Sequence, residues 1–234
     1  MKLKSASRTD IGKRRANNQD SFICNDKLKL YAVADGLGGH VGGEVASRLA
    51  VEALTQLFSL GKSSFDPSSY LTKAVQEANQ RIFEKAEVTS SLRGMGTTLT
   101  ALYFSYDTAY IAHVGDSRAY FIQDDMIWQL SEDHTLVSQQ MVSGIEFPVK
   151  NIITRSVGYD REVEIDLYTK KLSSGDIYLL CSDGLHGYLK EEEMVSVIQS
   201  SFSLELAAGQ LIQLANDRGG DDNITAVLTK VERL

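Results

Sequence analysis

The order of secondary-structure signals in this chain predicts an α+β fold built on antiparallel sheets. Three observations carry that prediction. Apolar residues alternate with period two in an early pair of segments, in a long middle block and near the C-terminus. They recur at helical spacing in two stretches after the first strands and in two more before the last one. Few strand–helix–strand units occur, so a parallel sheet with crossover helices is not expected.

The elements follow in order. A strand around residues 21–24 leads through a turn at Asn25 and Asp26 into a second strand over 28–34. There Leu28, Leu30, Ala32 and Ala34 alternate with Lys29, Tyr31 and Val33. The second set becomes apolar towards its end, which predicts a sheet covered on both faces. In residues 44–58, Val45, Leu49, Ala53 and Leu57 recur at helical spacing. Asp66 is placed to cap the next helix with Pro67 in its first turn, and Leu71, Val75, Ala78 and Ile82 form its apolar stripe. Both helices are expected to lie against a sheet.

Segments 97–104, 109–113, 118–122 and 127–130 read as a meander with turns at 105–108, 115–117 and 123–125. A short helix over 134–142 is expected to end at Gly144, and residues 145–158 look irregular. A strand at 177–181, helices near 191–200 and 204–216, and a strand at 223–231 complete the chain. Glu191, Glu192 and Glu193 in the first turn of their helix match its dipole.

The length of 234 residues suits one domain spanning 1–234, able to bury about 70% of its unfolded surface. No repeat, low-complexity tract or proline-rich linker divides it. Cys24 and Cys181 sit in apolar strand-like stretches and read as buried thiols of a reducing compartment. The opening MKLKSASRTD lacks the apolar core of a signal peptide, and no run is long enough to span a membrane. A soluble, cytoplasmic, monomeric protein is the expectation. The net charge of −7 argues against a nucleic-acid binder. Lys13, Arg14 and Arg15 form the one small basic cluster, read either as a solvated turn or as an anion site.

Four features repeat one design in which an apolar strand runs out into aspartate, usually beside glycine. They are Asp35-Gly36, Gly115-Asp116, Asp183-Gly184 and Asp221-Asp222 after Gly219-Gly220. Any one of them is an ordinary turn, since both residue types tolerate unusual φ/ψ. Together, strand ends of one sheet layer facing one cleft would gather carboxylates that repel each other unless something positive sits among them. An oxygen-only donor set without a Cys/His cluster points to Mg²⁺ or Mn²⁺ rather than zinc. Two such ions can activate a water and stabilise an in-line displacement at phosphorus. The phosphate then needs a cationic clamp, and Arg15, five residues before Asp20, is the candidate.

The stretch Arg15-Ala16-Asn17-Asn18-Gln19-Asp20, then Asp35-Gly36-Leu37-Gly38-Gly39-His40 with Gly43-Glu44, resembles the opening motifs of bacterial PP2C-type (PPM) protein serine/threonine phosphatases. Gly94-Met95-Gly96-Thr97-Thr98, Gly115-Asp116-Ser117-Arg118, Asp133-His134, Ser182-Asp183-Gly184 and Asp222-Asn223 continue the pattern in order, from about Thr9 to the C-terminus. Each motif alone is weak; the ordered set is specific.

The resemblance implies a four-layer α/β/β/α sandwich, two stacked antiparallel sheets flanked by helix pairs. It implies hydrolysis of phosphoserine and phosphothreonine by a metal-activated water, opposing a Ser/Thr kinase in bacterial-type signalling. Phosphoproteins, including the kinase or its targets, would be the partners. In these terms Asp35 bridges two ions and the Gly36 carbonyl binds one of them. Asp183 and Asp222 hold the other, and Asp20 acts through water. Asp116 belongs to a third, weaker site that shares Asp183. Arg15 binds the phosphate. His40 is a candidate general acid; its alternative is a loop histidine that only orders water. His113 and His134 read as structural, with Asp133 capping the helix that His134 begins. Ser117 and Arg118 are expected to stabilise the turn presenting Asp116.

Two departures stand out. Gln19 replaces the glutamate of many members and cannot supply its charge. Residues 144–151 are shorter than the usual flap beside the site, which would open the cleft and weaken the third metal position. Two other classes compete with an active phosphatase. A non-catalytic phosphoprotein-binding module is disfavoured by the intact Asp20, Asp35, Asp183 and Asp222. A hydrolase of small phosphate esters or nucleotides is ranked lower because Gly36-Leu37-Gly38-Gly39 lacks the lysine of a phosphate-binding loop.

Overall fold

Packing, more than local propensity, decides how the predicted elements are shared out. A computed structural model describes residues 1–61, 66–136 and 152–234, without the side chains of 39–41. One antiparallel sheet joins β2 (Asp20–Asn25), β3 (Leu30–Leu37), β5 (Leu99–Ser105), β6 (Thr108–Val114) and β9 (Asp166–Lys171) in that order, with the short β4 (Gly96–Thr97) on the end of β3. The other runs β1 (Lys2–Asp10), β11 (Ile224–Arg233), β10 (Ile177–Cys181), β7 (Arg118–Gln123), β8 (Met126–Gln129). Helices α1 (Gly39–Ser59) and α2 (Pro67–Val88) cover the first sheet. After the single turn α3 (Asp183–His186), α4 (Glu191–Ser200) and α5 (Leu204–Asp217) cover the second.

The four layers enclose three apolar clusters. Leu30, Ala32 and Ala34 of β3 face α1 and α2, where Leu54, Leu71, Val75 and Ile82 are fully buried. Tyr31 and Val33 point the other way, against Leu180 and Val227 between the sheets. This is the two-sided burial that the apolar run in β3 predicts. Tyr178 anchors the inter-sheet layer through edge and tilted contacts with Phe104 and Phe121. The third cluster sits under α4 and α5. Asp66 caps α2 by accepting from the Ser68 and Ser69 amides, with Pro67 in the first turn as expected.

Three expectations need correction. Residues 97–130 are not one meander: β5 pairs with β6 in one sheet and β7 with β8 in the other. The turn at 115–117 is a crossing between sheets, with Gly115 at φ +109°. Its Cα lies so close to Thr98 that an added Cβ would meet the threonine side chain at 2.6 Å. The edge strands β1 and β9 gave no strand signal, because they are rich in polar residues and their apolar positions are few. Cys181 is buried, but Cys24 is only half-buried. The helix expected at 134–142 and the flap at 144–151 lie outside the described residues, apart from residues 134–136.

Candidate active site

The aspartates converge at one end of the sandwich, but from both sheets rather than from one layer. Asp20 opens β2 and stands directly opposite Asp35 of β3 in the antiparallel register. Asp35 therefore lies inside its strand rather than past its end. Asp116 sits in the crossing after β6, Asp183 opens α3 after β10, and Asp222 precedes β11. Arg15, Gln19, Asp35, Gly36, Asp183 and Asp222 line a single cleft of about 360 Å³.

Burial and mutual repulsion dominate the electrostatics. Burial, reinforced by Asp183 and Asp222, pushes the Asp20 carboxyl up to about 7, against the hydroxyls of Thr225 and Ser182. Asp35 is raised well above the ordinary range by burial and by Asp20, Asp183, Asp116 and Asp222. Burial and Asp183 raise Asp116 to about 7. Burial and Asp222 raise Asp183. Such a set favours either protons or cations among its oxygens.

Hydrogen bonding aims these groups. Ser182 Oγ and Thr225 Oγ1 both donate to Asp20 Oδ2, at 2.8 and 2.6 Å. That leaves Asp20 Oδ1 buried with no hydrogen-bond partner, as are Asp116 Oδ1 and Asp183 Oδ1. Three partnerless buried carboxylate oxygens are the donors a hard cation takes, so the residues fit Mn²⁺ or Mg²⁺. Among the described residues, no three His, Cys, Asp or Glu side chains are already assembled as a metal shell. Asp222 is instead engaged by Arg15, whose Nη2 lies 2.6 Å from Asp222 Oδ2.

The backbone around Asp35 leaves no latitude. The Asp35 amide donates to Thr98 Oγ1 and its carbonyl accepts from the Thr98 amide and Thr97 Oγ1. A Cβ on Gly36 would meet the Gly43 carbonyl oxygen at 2.1 Å. Close approach of β3 to α1 therefore requires glycine at both positions. Gln19 packs its Oε1 toward Gly43, and its backbone N–H donates to Asn223 Oδ1. Asn223 also donates to the Ile11 and Asn17 carbonyls, pinning the loop that carries Arg15 to the start of β11. Only an amide side chain supplies both an acceptor and two donors there.

The basic cluster divides. Lys13 and Arg14 make exposed ion pairs with Asp217 and Asp221, while Arg15 faces the cleft. The His113 ring spans Thr100 Oγ1 and the Glu132 carbonyl, and burial pushes it down to about 4, so the structural reading holds. His134 accepts the Gly115 amide at Nδ1. Asp133 takes the Arg118 guanidinium with both oxygens, and Ser117 Oγ lies 2.7 Å from Thr98 Oγ1. His40 falls in the first turn of α1, and its side chain is outside the description.

Sequence reasoning missed Ser182, Thr225 and His186 as supports of the site. His186 Nε2 donates to the Asp116 carbonyl at 3.0 Å. Ser182 stands beside Asp183 in a motif, so its proximity was visible. Thr225 and His186 carried no signal, because their partners lie 205 and 70 residues away.

Comparison with known proteins agrees with this architecture. The family model for protein phosphatase 2C matches residues 12–217. The serine/threonine phosphatase stp of Listeria innocua is 39% identical over 236 residues, covering 95% of this chain and 94% of that protein. The serine/threonine protein phosphatase PstP of Mycobacterium tuberculosis is 38% identical, covering 98% of this chain and 45% of that longer protein. A crystal structure of the M. tuberculosis PstP matches with a TM-score of 0.92 at 37% identity over 99% of both chains. A PstP catalytic domain in complex with two manganese ions matches with a TM-score of 0.90 at 38% identity, again over 99% of both chains. A fold shared along nearly the whole chain, a match to the family model over most of it and relatives near 40% identity place this chain in the protein phosphatase 2C family, the metal-dependent serine/threonine phosphatases.

Proposed function

We propose that this chain hydrolyses phosphoserine and phosphothreonine in proteins, with two Mn²⁺ or Mg²⁺ ions in its acidic cleft. The observation that carries the reading is the set of partnerless buried oxygens on Asp20, Asp116 and Asp183, the last of which lines the cleft with Arg15. Asp35, the Gly36 carbonyl, Asp183 and Asp222 would hold the two ions, with Asp20 contributing through water. Asp116, together with Asp183, would hold a third. When bound, the ions lower the pKa of a water and neutralise charge that develops on the phosphoryl oxygens.

The chain's own groups do the rest. Arg15 clamps the phosphate in paired hydrogen bonds and orients it for in-line attack. Ser182 and Thr225 hold Asp20 by one carboxylate oxygen and leave the other without a partner. His40 gives its proton to the departing serine or threonine oxygen. The substrates are phosphoproteins opposite a Ser/Thr kinase. No helix among the described residues is long and apolar enough to cross a membrane, and we place the monomeric protein in the cytoplasm.

The test is release of p-nitrophenol from its phosphate ester and of phosphate from phosphothreonine peptides with Mn²⁺. Both are expected to stop with EDTA and to fall at least tenfold in Asp222→Ala at limiting Mn²⁺. Near-full activity of that variant would remove Asp222 from the ligand set. Phosphopeptide binding without turnover would make the chain a binding module.

A further inference from the structure

The cleft does not end at the acidic site. Leu37 and Ile153 also line a second cavity of about 430 Å³, walled by Gly94, Gly96, Tyr159, Asp160, Glu162 and Glu164 among others. Glu162 and Val163 in turn line a third cavity of about 630 Å³ on the surface of α2, with Gln76, Phe83 and Glu84. The shared wall residues set the three spaces side by side, a row that starts at the acidic cleft and forms the groove.

The outer wall of the groove is held in place by buried hydrogen bonds. Val157 and Thr97 exchange backbone hydrogen bonds at 2.8 and 3.0 Å. Asn79, buried on α2, accepts the Gly158 amide at 2.6 Å and donates to the Asp160 and Arg161 carbonyls at 3.0 Å each. Gly158 has φ +89°, and a Cβ there would strike Ile82. The wall is therefore a docked segment that presents its side chains from a fixed backbone.

Among the described residues its lining is net negative. Among the described residues four carboxylates, Asp160, Glu162, Glu164 and Glu84, face two guanidiniums, Arg155 and Arg161. Arg155 is committed to Asp166 at 2.7 Å and to Glu164 at 3.0 Å. Asp160 and Glu162 have no cationic partner among the described residues. The Tyr159 ring stands 61% exposed at the rim, open to a cation on its face.

A protein substrate whose phosphorylated side chain enters the cleft must lay its neighbouring residues along the adjoining surface. We infer that this groove is the track for the substrate's flanking segment, and that Asp160, Glu162 and Tyr159 select lysine or arginine on one side of the phosphorylated residue. The inference deepens the proposed function and rests on it. Exposed ion pairs contribute about 0.2–1 kcal/mol each, or ~1.4- to 5-fold in kcat/KM. Two carboxylates against a peptide of the opposite sign set a lysine-to-glutamate preference of roughly tenfold.

The experiment uses the full chain with Mn²⁺ and a set of phosphothreonine peptides carrying one lysine or one glutamate at each flanking position in turn. The lysine peptide is expected to exceed the glutamate peptide in kcat/KM by about tenfold, at positions confined to one side, and the ratio shrinks toward one in about 0.5 M salt. Glu162→Lys, which leaves one carboxylate against one ammonium, brings the ratio close to one, and Tyr159→Ala lowers it. Each ratio compares two peptides on one enzyme, so a general loss of activity cancels. A ratio within twofold at every position, an equal preference on both sides, or a ratio unchanged in Glu162→Lys overturns the track while leaving the phosphatase reading intact. Failure to turn over p-nitrophenyl phosphate as well as every peptide overturns the phosphatase reading, and the track with it.

Discussion

Replacing Asp20 by asparagine separates what the acidic site costs the fold from what it supplies to the metal. In the protein stripped of metal, burial and the charges of Asp183 and Asp222 raise Asp20 from 3.8 to about 7. That rise corresponds to ~4 kcal/mol between the protonated and ionised folded states. The folded state holds the proton more tightly than the unfolded chain. Its stability from this group is thus complete below pH ~4 and is lost as pH rises from about 4 through 7. At pH 8 the wild type carries the buried charge. The Asp20→Asn variant does not, and its side-chain carbonyl oxygen still accepts from Ser182 and Thr225. The amide NH₂ then takes the place of the partnerless oxygen, at a cost of about 1–3 kcal/mol. The net gain is roughly 2 kcal/mol, a rise of ~4–8 °C in Tm for a domain of this size. Differential scanning fluorimetry in EDTA should show that gain at pH 8 and little of it at pH 5. With Mn²⁺ at about 100 Kd the order reverses, since the wild type gains about 2.7 kcal/mol and the variant loses the carboxylate oxygen that would accept from a metal-bound water. A variant that melts below the wild type in EDTA at pH 8, or an offset that does not change with pH, would refute the reasoning.

Other outcomes follow from the same geometry. Gly36→Ala drives a methyl into the Gly43 carbonyl; a stability loss of ~2–3 kcal/mol by urea titration and a collapse of Mn²⁺-dependent turnover are expected. Ser182→Ala with Thr225→Val strips both donors from Asp20 Oδ2. Calorimetric Mn²⁺ titration should find affinity lower by roughly 10- to 100-fold, the usual effect of losing groups that orient a ligand. Asn79→Ala orphans the Gly158 amide and two carbonyls. It should cost ~2–3 kcal/mol in thermal unfolding and raise KM for phosphopeptides more than for p-nitrophenyl phosphate. Unchanged amide exchange at Gly158 in that variant would contradict the docking of this segment on Asn79.

The periodicity of α1, α2, α4 and α5 was legible because a helix shows its buried stripe in its own residues. The Asp66–Pro67 start of α2 was legible for the same reason. The two-sided burial of β3 was written in Tyr31 and Val33. Beyond the elements, the sequence determined the chemistry of the site. Five aspartates, their glycine neighbours and Arg15 point to oxygen donors beside a cation, the set on which the proposed metal and phosphate roles rest, and their order specifies the family. Tertiary structure alone decided which sheet each strand joins. β6 and β7 are adjacent in the chain and similar in pattern, yet the crossing at Gly115 sends them to different layers. It alone brought Asp35 and Asp20 into register from one sheet and Asp183 and Asp222 from the other. It supplied Thr225 and His186 as supports, and the walls of the groove beside the cleft. Such facts depend on contacts between residues far apart in the chain, which no local pattern encodes. The pKa of Asp20 is the plainest case, since it comes from burial and from neighbours more than 160 residues away.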